Sequence, residues 1–471
     1  MIDDIDEKLL KLEPAWGRDK IEKLRLIYQI GDDDRKERIR KIVSLSLKKL
    51  VNDSFLPDEL LLPPSSKKDC LGKGEIYLGN VCYGKHKDGR YKELYPLFLN
   101  LNNFATHLLI SGATGTGKTS LAYNLAIELA KKNINIIIFD WQRTWRTLLS
   151  LPKDKYPFVE NIKVYTIGRN DIAPFKGNLL FHAPKKVPIE TWMEIITSAP
   201  LEKSLLGGLG VQNIILDEAQ NILEAYQNGI LKLFPNIEDV KKGVSRKFLK
   251  GRAGLWQQSA LRLLSLLTRS SAYDVFSSRD FIDLEKDIFS HKGIIIFEMD
   301  LQFPNSLRIL FQETFLLFLL SYFLGKGESD NLQTVLIFEE FQNMVAQSQI
   351  ERQVGSDILK NLFREGRKFG LSAVCLAQEP STLGNHVLAN CRTTVSLSSR
   401  TKKDIETIAN GLFLKQKEIP FIDYLKRGEC IIKVDDRVKN CLVKTPAPPP
   451  FQRKITDEEL KVLMKKWQHQ N

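Results

Sequence analysis

The chain has 471 residues, 43% hydrophobic and 27% charged, a balance that supports a large folded core and excludes a wholly disordered protein. Lysine and arginine number 69 against 57 acidic residues, so the formal net charge is +12 and favours an anionic partner such as nucleic acid or phospholipid. The acidic start Met1-Ile2-Asp3-Asp4 leads into no apolar signal region and the six cysteines form no C-x-x-C pair, so the expectation is a cytoplasmic protein without structural zinc or a disulfide framework.

Residues 1–70 are rich in Lys, Glu, Asp and Leu, with helical spacing in Ile21-Leu24-Ile27 and Ile39-Ile42-Leu45-Leu47. They predict a helical accessory or docking region, closed by a linker at Pro57, Pro63 and Pro64. Ile76-Tyr77-Leu78 and Leu94–Leu101 predict a small β segment, and His107–Ser111 a further strand. Beyond it, apolar runs at Ile134–Phe139, Gly293–Phe297, Val335–Phe338, Ala373–Ala377 and Thr394–Leu397 alternate with helical stretches. Continuous apolar runs suit strands covered on both faces, so residues 75–445 predict an α/β domain with a mostly parallel, doubly wound sheet. A helical insertion is expected at about 185–290. The apolar stretch Phe315–Leu324 is about half a bilayer span and reads as a buried helix. Residues 446–471 comprise the proline-rich connector Pro446–Pro450 and a final amphipathic helix over 455–468.

After the strand HLLIS comes GATGTGKTS, which fits G-x-x-x-x-G-K-[ST]. The nine residues Gly112, Ala113, Thr114, Gly115, Thr116, Gly117, Lys118, Thr119 and Ser120 are therefore expected to hold the phosphates of ATP or another nucleoside triphosphate. Glycines let successive N–H groups turn inward toward phosphate oxygens, and Lys118 adds a positive charge. The Thr119 hydroxyl can ligate Mg²⁺, and the helix that follows starts with its positive end at the same anion.

Two acidic pairs compete for the strand end that completes such a site. NIILDEAQN carries Asp217 and Glu218, but its flanks continue a helical period through Ile215, Ala219, Ile222 and Leu223. TVLIFEEFQN carries Glu339 and Glu340 behind an apolar β-run, and the strand AVCLA, ending at Gln378, follows. The second order matches a RecA-like sheet, so Glu339 is read as a Mg²⁺ ligand and Glu340 as the group that orients or deprotonates the attacking water. Between those strands SDILKNLFREGRKFG sets Ile358, Leu359 and Leu362 on one side of a helix and Lys360, Arg364 and Arg367 on the other. This stripe leads into the AVCLA strand, near the edge of the nucleotide site. Arg367 and then Arg364 are candidates to reach a γ-phosphate, with Arg392 and Arg400 behind them.

The segments HLLISGATGTGKTS, IIIFDWQRTW, VLIFEEFQN, REGRKFG and AVCLAQEPSTL stand in the order found in the HerA-type ATPases, a branch of the FtsK/HerA group, and the chain resembles that family over residues 75–450. The resemblance implies a RecA-like P-loop ATPase assembled as a homo-oligomeric ring, typically a hexamer, that threads double-stranded DNA. It also implies ATP and Mg²⁺ at Lys118 and Thr119, hydrolysis supported by Glu340, phosphate sensing by Gln378, and Arg367 acting across a subunit boundary. Asp140 matches the family's acidic tip of the second strand. Such ATPases commonly work with a separate nuclease or, in antiviral defence, an effector subunit. Glu339 departs from the usual Asp, and the β segment before the P-loop is shorter than the family's barrel.

Basic residues in KKGVSRKFLKGR (Lys241, Lys242, Arg246, Lys247, Lys250 and Arg252) are candidates for DNA phosphates, since such contacts need only clustered positive charge. A second reading from another class stays open: an ATP-dependent oligomeric scaffold that assembles and regulates an effector enzyme with little translocation.

Overall fold

The apolar runs of the sequence form the interior of one eleven-stranded sheet. In chain order its strands are β1 (Ile76–Lys85), β2 (Tyr91–Leu99), β3 (Leu108–Ser111), β4 (Asn135–Asp140), β5 (Ile162–Ile167), β6 (Ile294–Met299), β7 (Thr334–Phe338), β8 (Leu371–Ala377), β9 (Thr393–Ser396), β10 (Glu429–Lys433) and β11 (Cys441–Lys444). They lie side by side as β2-β1-β11-β10-β9-β3-β8-β7-β4-β6-β5. From β9 to β5 every pairing is parallel. The pairings β9–β10, β10–β11 and β1–β11 are antiparallel. The predicted α/β class and mostly parallel sheet are therefore present.

Strands β4, β6, β7 and β8 are buried at every position, which is what continuous Ile, Val and Phe runs require when helices cover both faces. Phe139 stacks on Phe338 at 5.1 Å and on Phe297 at 5.7 Å, and the helix Asn305–Lys326 adds Phe311 and Phe315 edge-on to that cluster. That helix has the length and apolarity to cross a membrane, but nearly all of it is enclosed by the core, as expected for Phe315–Leu324. Register sets Ser111 of β3 beside Ala377 of β8, and Phe139 of β4 beside Phe338 of β7. The residues at and just beyond these four carboxyl ends, Asp140, Gly112, Glu339 and Gln378, thus emerge on one edge of the sheet, where doubly wound folds bind ligands.

The computed structural model describes residues 4–53, 74–85, 91–180, 208–345, 355–416, 418–435 and 439–468. The linker prolines Pro57, Pro63 and Pro64 and the first part of the expected insertion lie outside the described residues. Contact density separates two units, Met1–Leu61 with Gly84–Arg90 and Leu62–Tyr83 with Tyr91–Asn471. In the first, helices Asp4–Trp16, Arg18–Ile30 and Asp33–Asp53 close around Leu9, Leu12, Ile21, Tyr28, Ile39 and Val43. The expected stripe is corrected here: Tyr28 and Val43 turn inward, leaving Ile27, Ile42 and Leu45 exposed.

In the second unit, the expected insertion contains helices Leu209–Gln227, Ile237–Arg246, Gly251–Leu267 and Ser270–Ser277. Asn236 caps the second of these, accepting from Asp239 N while Asp239 returns the bond to Asn236 N. Strands β5, β10 and β11 were not expected. The first alternates half-buried Lys163 and Tyr165 with buried Ile162 and Val164, the pattern of a sheet edge, and the other two are short. The last helix runs over Asp457–Gln468.

Candidate functional site

The strand β3 delivers the chain to Gly112, whose φ of 150° and tight surroundings exclude a side chain: a Cβ there would meet Leu397 Cβ at 2.9 Å. Gly115 and Gly117 also have positive φ, 81° and 114°, so the loop bends back on itself before the helix Lys118–Ala130 begins. Residues just after β9 and just before β10 fix the loop: Ala113 N donates to Ser398 O (2.7 Å) and Gly428 N to Thr116 O (3.0 Å). No side chain caps the helix, which leaves its first N–H groups available to an anion. Lys118 is buried and donates Nζ to the loop's own carbonyls, Gly112 O at 2.7 Å and Ala113 O at 3.1 Å. Burial pulls its pKa below the ordinary lysine value, opposed by Glu340 and Glu339.

The cleft beside this loop has a volume of about 190 Å³ and is lined by Thr114, Gly115, Gly117, Lys118, Thr119, Ser120, Glu339, Glu340 and Gln378, together with Gln142, Leu376 and Arg427. The phosphate-loop residues and both glutamates read from the sequence therefore meet in one place. Asp217 and Glu218 lie away from it on the helix Leu209–Gln227, where Glu218 pairs with Lys247 at 3.0 Å.

The two glutamates point into different environments because the backbone turns between them. Glu340 has φ +51°, a left-handed conformation unusual for a side chain of its size. Its Oε1 accepts from the amides of Gln142 and Gln378, and its Oε2 from that of Gln342. Gln378 Oε1 in turn accepts the Thr114 hydroxyl at 2.7 Å. Three amide donors thus aim a carboxylate into the cleft. Glu339 is the opposite case: it is 2% exposed, and among the described residues neither carboxylate oxygen has a partner at hydrogen-bond geometry. Burial, then the neighbouring Asp140 and Glu340, push its pKa well above the ordinary value. Asp140, fully buried at the tip of β4, accepts from the backbone N–H groups of Gln142 (3.0 Å) and Trp145 (2.8 Å).

Buried carboxylates side by side, one of them without a donor, fit a cation. Among the described residues no three His, Cys, Asp or Glu side chains form a metal cage. The donor set of hydroxyl and carboxylate instead suits Mg²⁺, which takes few protein ligands and completes its shell with phosphate and water.

Arg364 and Arg367 do not enter this cleft. Both are exposed, Arg364 pairing with Glu365 at 3.0 Å. They precede β8, whereas Gln378 follows it. Seven strand residues put them roughly 20 Å away, at the opposite edge of the sheet. The expectation that this basic stripe lies near the nucleotide site of its own chain is corrected accordingly: the helix feeds the amino end of a strand whose carboxyl end makes the site. Arg392 pairs with Asp435 at 2.9 Å, and Arg400 is exposed.

Sequence reasoning passed over Gln142, Gln342 and Arg427. Gln142 and Gln342 each follow an acidic strand-tip residue by two positions, Asp140 and Glu340, a signal that was visible. Arg427 precedes β10, a strand that was not expected; its backbone is anchored to the phosphate loop through the Gly428–Thr116 bond.

Residues 76–308 match the family model described as helicase HerA, central domain. Over these residues the chain belongs to the HerA central-domain family. No curated protein matches the chain in sequence. Among solved structures this HerA-type chain is similar to VirB4 of Thermoanaerobacter pseudethanolicus, with 16% identity, a TM-score of 0.60, and coverage of 82% of this chain and 98% of that one. It is also similar to the bacterial conjugative coupling protein TrwBdeltaN70 in a trigonal form with sulphate, at 14% identity and TM-score 0.55 over 84% of this chain and 97% of that one. For TrwB in complex with ADP and Mg²⁺ the figures are 14% and 0.52, over 83% and 99%. At these identities the likeness establishes the RecA-like fold.

Proposed function

We propose that this HerA-type protein hydrolyses ATP and uses it to move double-stranded DNA through a ring of identical subunits. The observation that carries the reading is the convergence, in one cleft, of a phosphate loop, a buried lysine and a carboxylate held by three amides. In this reading the ATP phosphates draw the Lys118 ammonium from the Gly112 and Ala113 carbonyls. Thr119 and Glu339 would hold Mg²⁺, which supplies positive charge at the phosphates. Glu340 orients a water and takes its proton as the water oxygen bonds to the γ-phosphorus. The bond from that phosphorus to the bridging oxygen breaks, and ADP and phosphate leave. Gln378, joined to both Thr114 and Glu340, registers whether the γ-phosphate is present.

Arg367 lies far from the cleft of its own chain and exposed, as a guanidinium serving the cleft of an adjacent copy must be. A hexameric ring supplies such a neighbour at every site. DNA as the substrate is supported by residues 241–273, which contain eight Lys and Arg and no Asp or Glu. Of these, Lys242, Arg246, Lys250, Arg252, Arg262 and Arg269 are exposed. A separate nuclease or defence effector would act on the DNA so delivered, in the cytoplasm.

The test is ATP turnover by the purified protein with and without linear duplex DNA, alongside DNA binding at several salt concentrations. The expected result is stimulation by duplex and a steep fall of affinity with salt, reduced by K250A/R252A. Equal turnover with and without DNA overturns the motor and leaves the scaffold.

A further inference from the structure

We infer that the C-terminal helix Asp457–Gln468 positions the catalytic glutamate, acting through a three-arginine clamp on Asp457 and the loop that carries Gln142; this deepens the ATP-hydrolysis reading and rests on it. Asp457 opens the helix, and its Oδ1 takes Arg143 Nη2 at 2.6 Å and Arg146 Nη1 at 2.5 Å. Arg169 Nη1 approaches Oδ2 at 3.5 Å.

Behind Asp457, Arg146 grips the buried Glu298 with both Nε and Nη2. Arg143 and Arg169 lie 3.7 and 3.8 Å from Asp300 Oδ2. Arg169 also holds Asp171 with Nε at 2.8 Å and Nη2 at 2.7 Å, so three guanidinium groups face four carboxylates. The partner of Arg143 at hydrogen-bond distance is Asp457, its other carboxylate contacts being 3.7 and 4.0 Å.

The clamp matters because of what stands next to it. Arg143 has φ +57°, a conformation that needs an anchor, and it directly follows Gln142, whose amide bonds Glu340 Oε1. The loop that meets Glu340 is thus held on one side by Asp140, which accepts from the backbone of Gln142, and on the other by Asp457, which accepts from Arg143. The same C-terminal segment also lies along the phosphate-loop helix. Ala447 O accepts from Asn124 Nδ2 at 3.1 Å, and Phe451 packs edge-on against Tyr123 at 5.1 Å. A segment more than 300 residues from the phosphate loop in sequence therefore touches both halves of the site.

The test is Asp457→Asn, which keeps the shape and removes the charge. With duplex DNA and saturating ATP, kcat should fall about tenfold while KM for ATP stays within about twofold, and Asp457→Glu should recover most of the loss. Amide hydrogen exchange of residues 141–146 should accelerate in Asp457→Asn, with that of 118–130 unchanged. An unchanged or raised kcat, a KM that rises in proportion, or unaltered exchange at 141–146 would each overturn the inference. Absence of ATP turnover in the unsubstituted protein would instead count against the ATPase reading, and the exchange measurement would still decide the clamp.

Discussion

Gln378 donates its side-chain amide to Glu340 Oε1 and accepts the Thr114 hydroxyl on its own carbonyl oxygen at 2.7 Å, so a single amide joins the phosphate loop to the carboxylate at the tip of β7. Any displacement of Thr114 would therefore disturb Gln378, and through it Glu340. Glu340→Gln should lower ATP turnover at least about 100-fold while nucleotide affinity is retained. Gln378→Leu should cost roughly tenfold, and the double variant little more than Glu340→Gln alone, because the two act as one unit. Additive losses in steady-state kinetics would separate them.

Lys118→Ala removes the buried cation of the cleft, so nucleotide affinity itself should collapse. Titration with a fluorescent ATP analogue checks this, and binding at unsubstituted strength would remove the phosphate loop from the account.

Arg427 lines the cleft of its own chain, whereas Arg367 lies at the far edge of the sheet. Subunit mixing distinguishes the two roles. Arg367→Ala mixed with Lys118→Ala should regain activity, since a lysine-deficient copy still lends its arginine to a competent neighbour. Arg427→Ala mixed with Lys118→Ala should stay inactive, since lysine and Arg427 must come from one chain. Equal recovery in both mixtures would contradict the assignment.

Glu339 is buried with neither oxygen hydrogen-bonded among the described residues, and its pKa is raised by burial and by Asp140 and Glu340. A raised carboxylate pKa means stability present below the ordinary carboxylate range and lost as pH rises through the raised value. Glu339→Gln should therefore stabilise the nucleotide-free protein at neutral pH, by about 2 °C in Tm, while impairing Mg²⁺-dependent turnover. Calorimetry with and without magnesium reads both effects, and a lowered Tm in the metal-free protein would contradict the assignment.

His107 behaves in the opposite sense. It is buried at the entrance to β3, donates Nε2–H to Phe363 O (3.2 Å) and accepts from Ala373 N at Nδ1 (3.0 Å), which holds the ring neutral. Burial lowers its pKa from 6.5 to about 4. Below pH 6.5 the unfolded chain takes up a proton that the folded one refuses, so stability should fall by up to about 3 kcal/mol as pH drops toward 4. Denaturant titrations should show this slope flattened in His107→Asn, a residue that tolerates the native φ of +58°.

The phosphate loop, the helix after it, the parallel core and the acidic tip of β7 were all legible in the sequence. Each rests on a local rule: glycine spacing for a tight turn, apolar continuity for a strand buried on both faces, helical period for Asp217 and Glu218. The tertiary structure alone decided that Tyr28 rather than Ile27 faces the N-terminal core, and that the Arg364–Arg367 stripe lies far from its own cleft. It also decided that Arg427 enters the cleft, that three glutamines hold Glu340, and that Asp457 closes a clamp on Arg143. These relationships join residues that can stand hundreds of positions apart. Spacing along the chain fixes backbone conformation and the faces of single elements, but which side chains share a cleft depends on the order in which strands pair, and no local pattern carries that order.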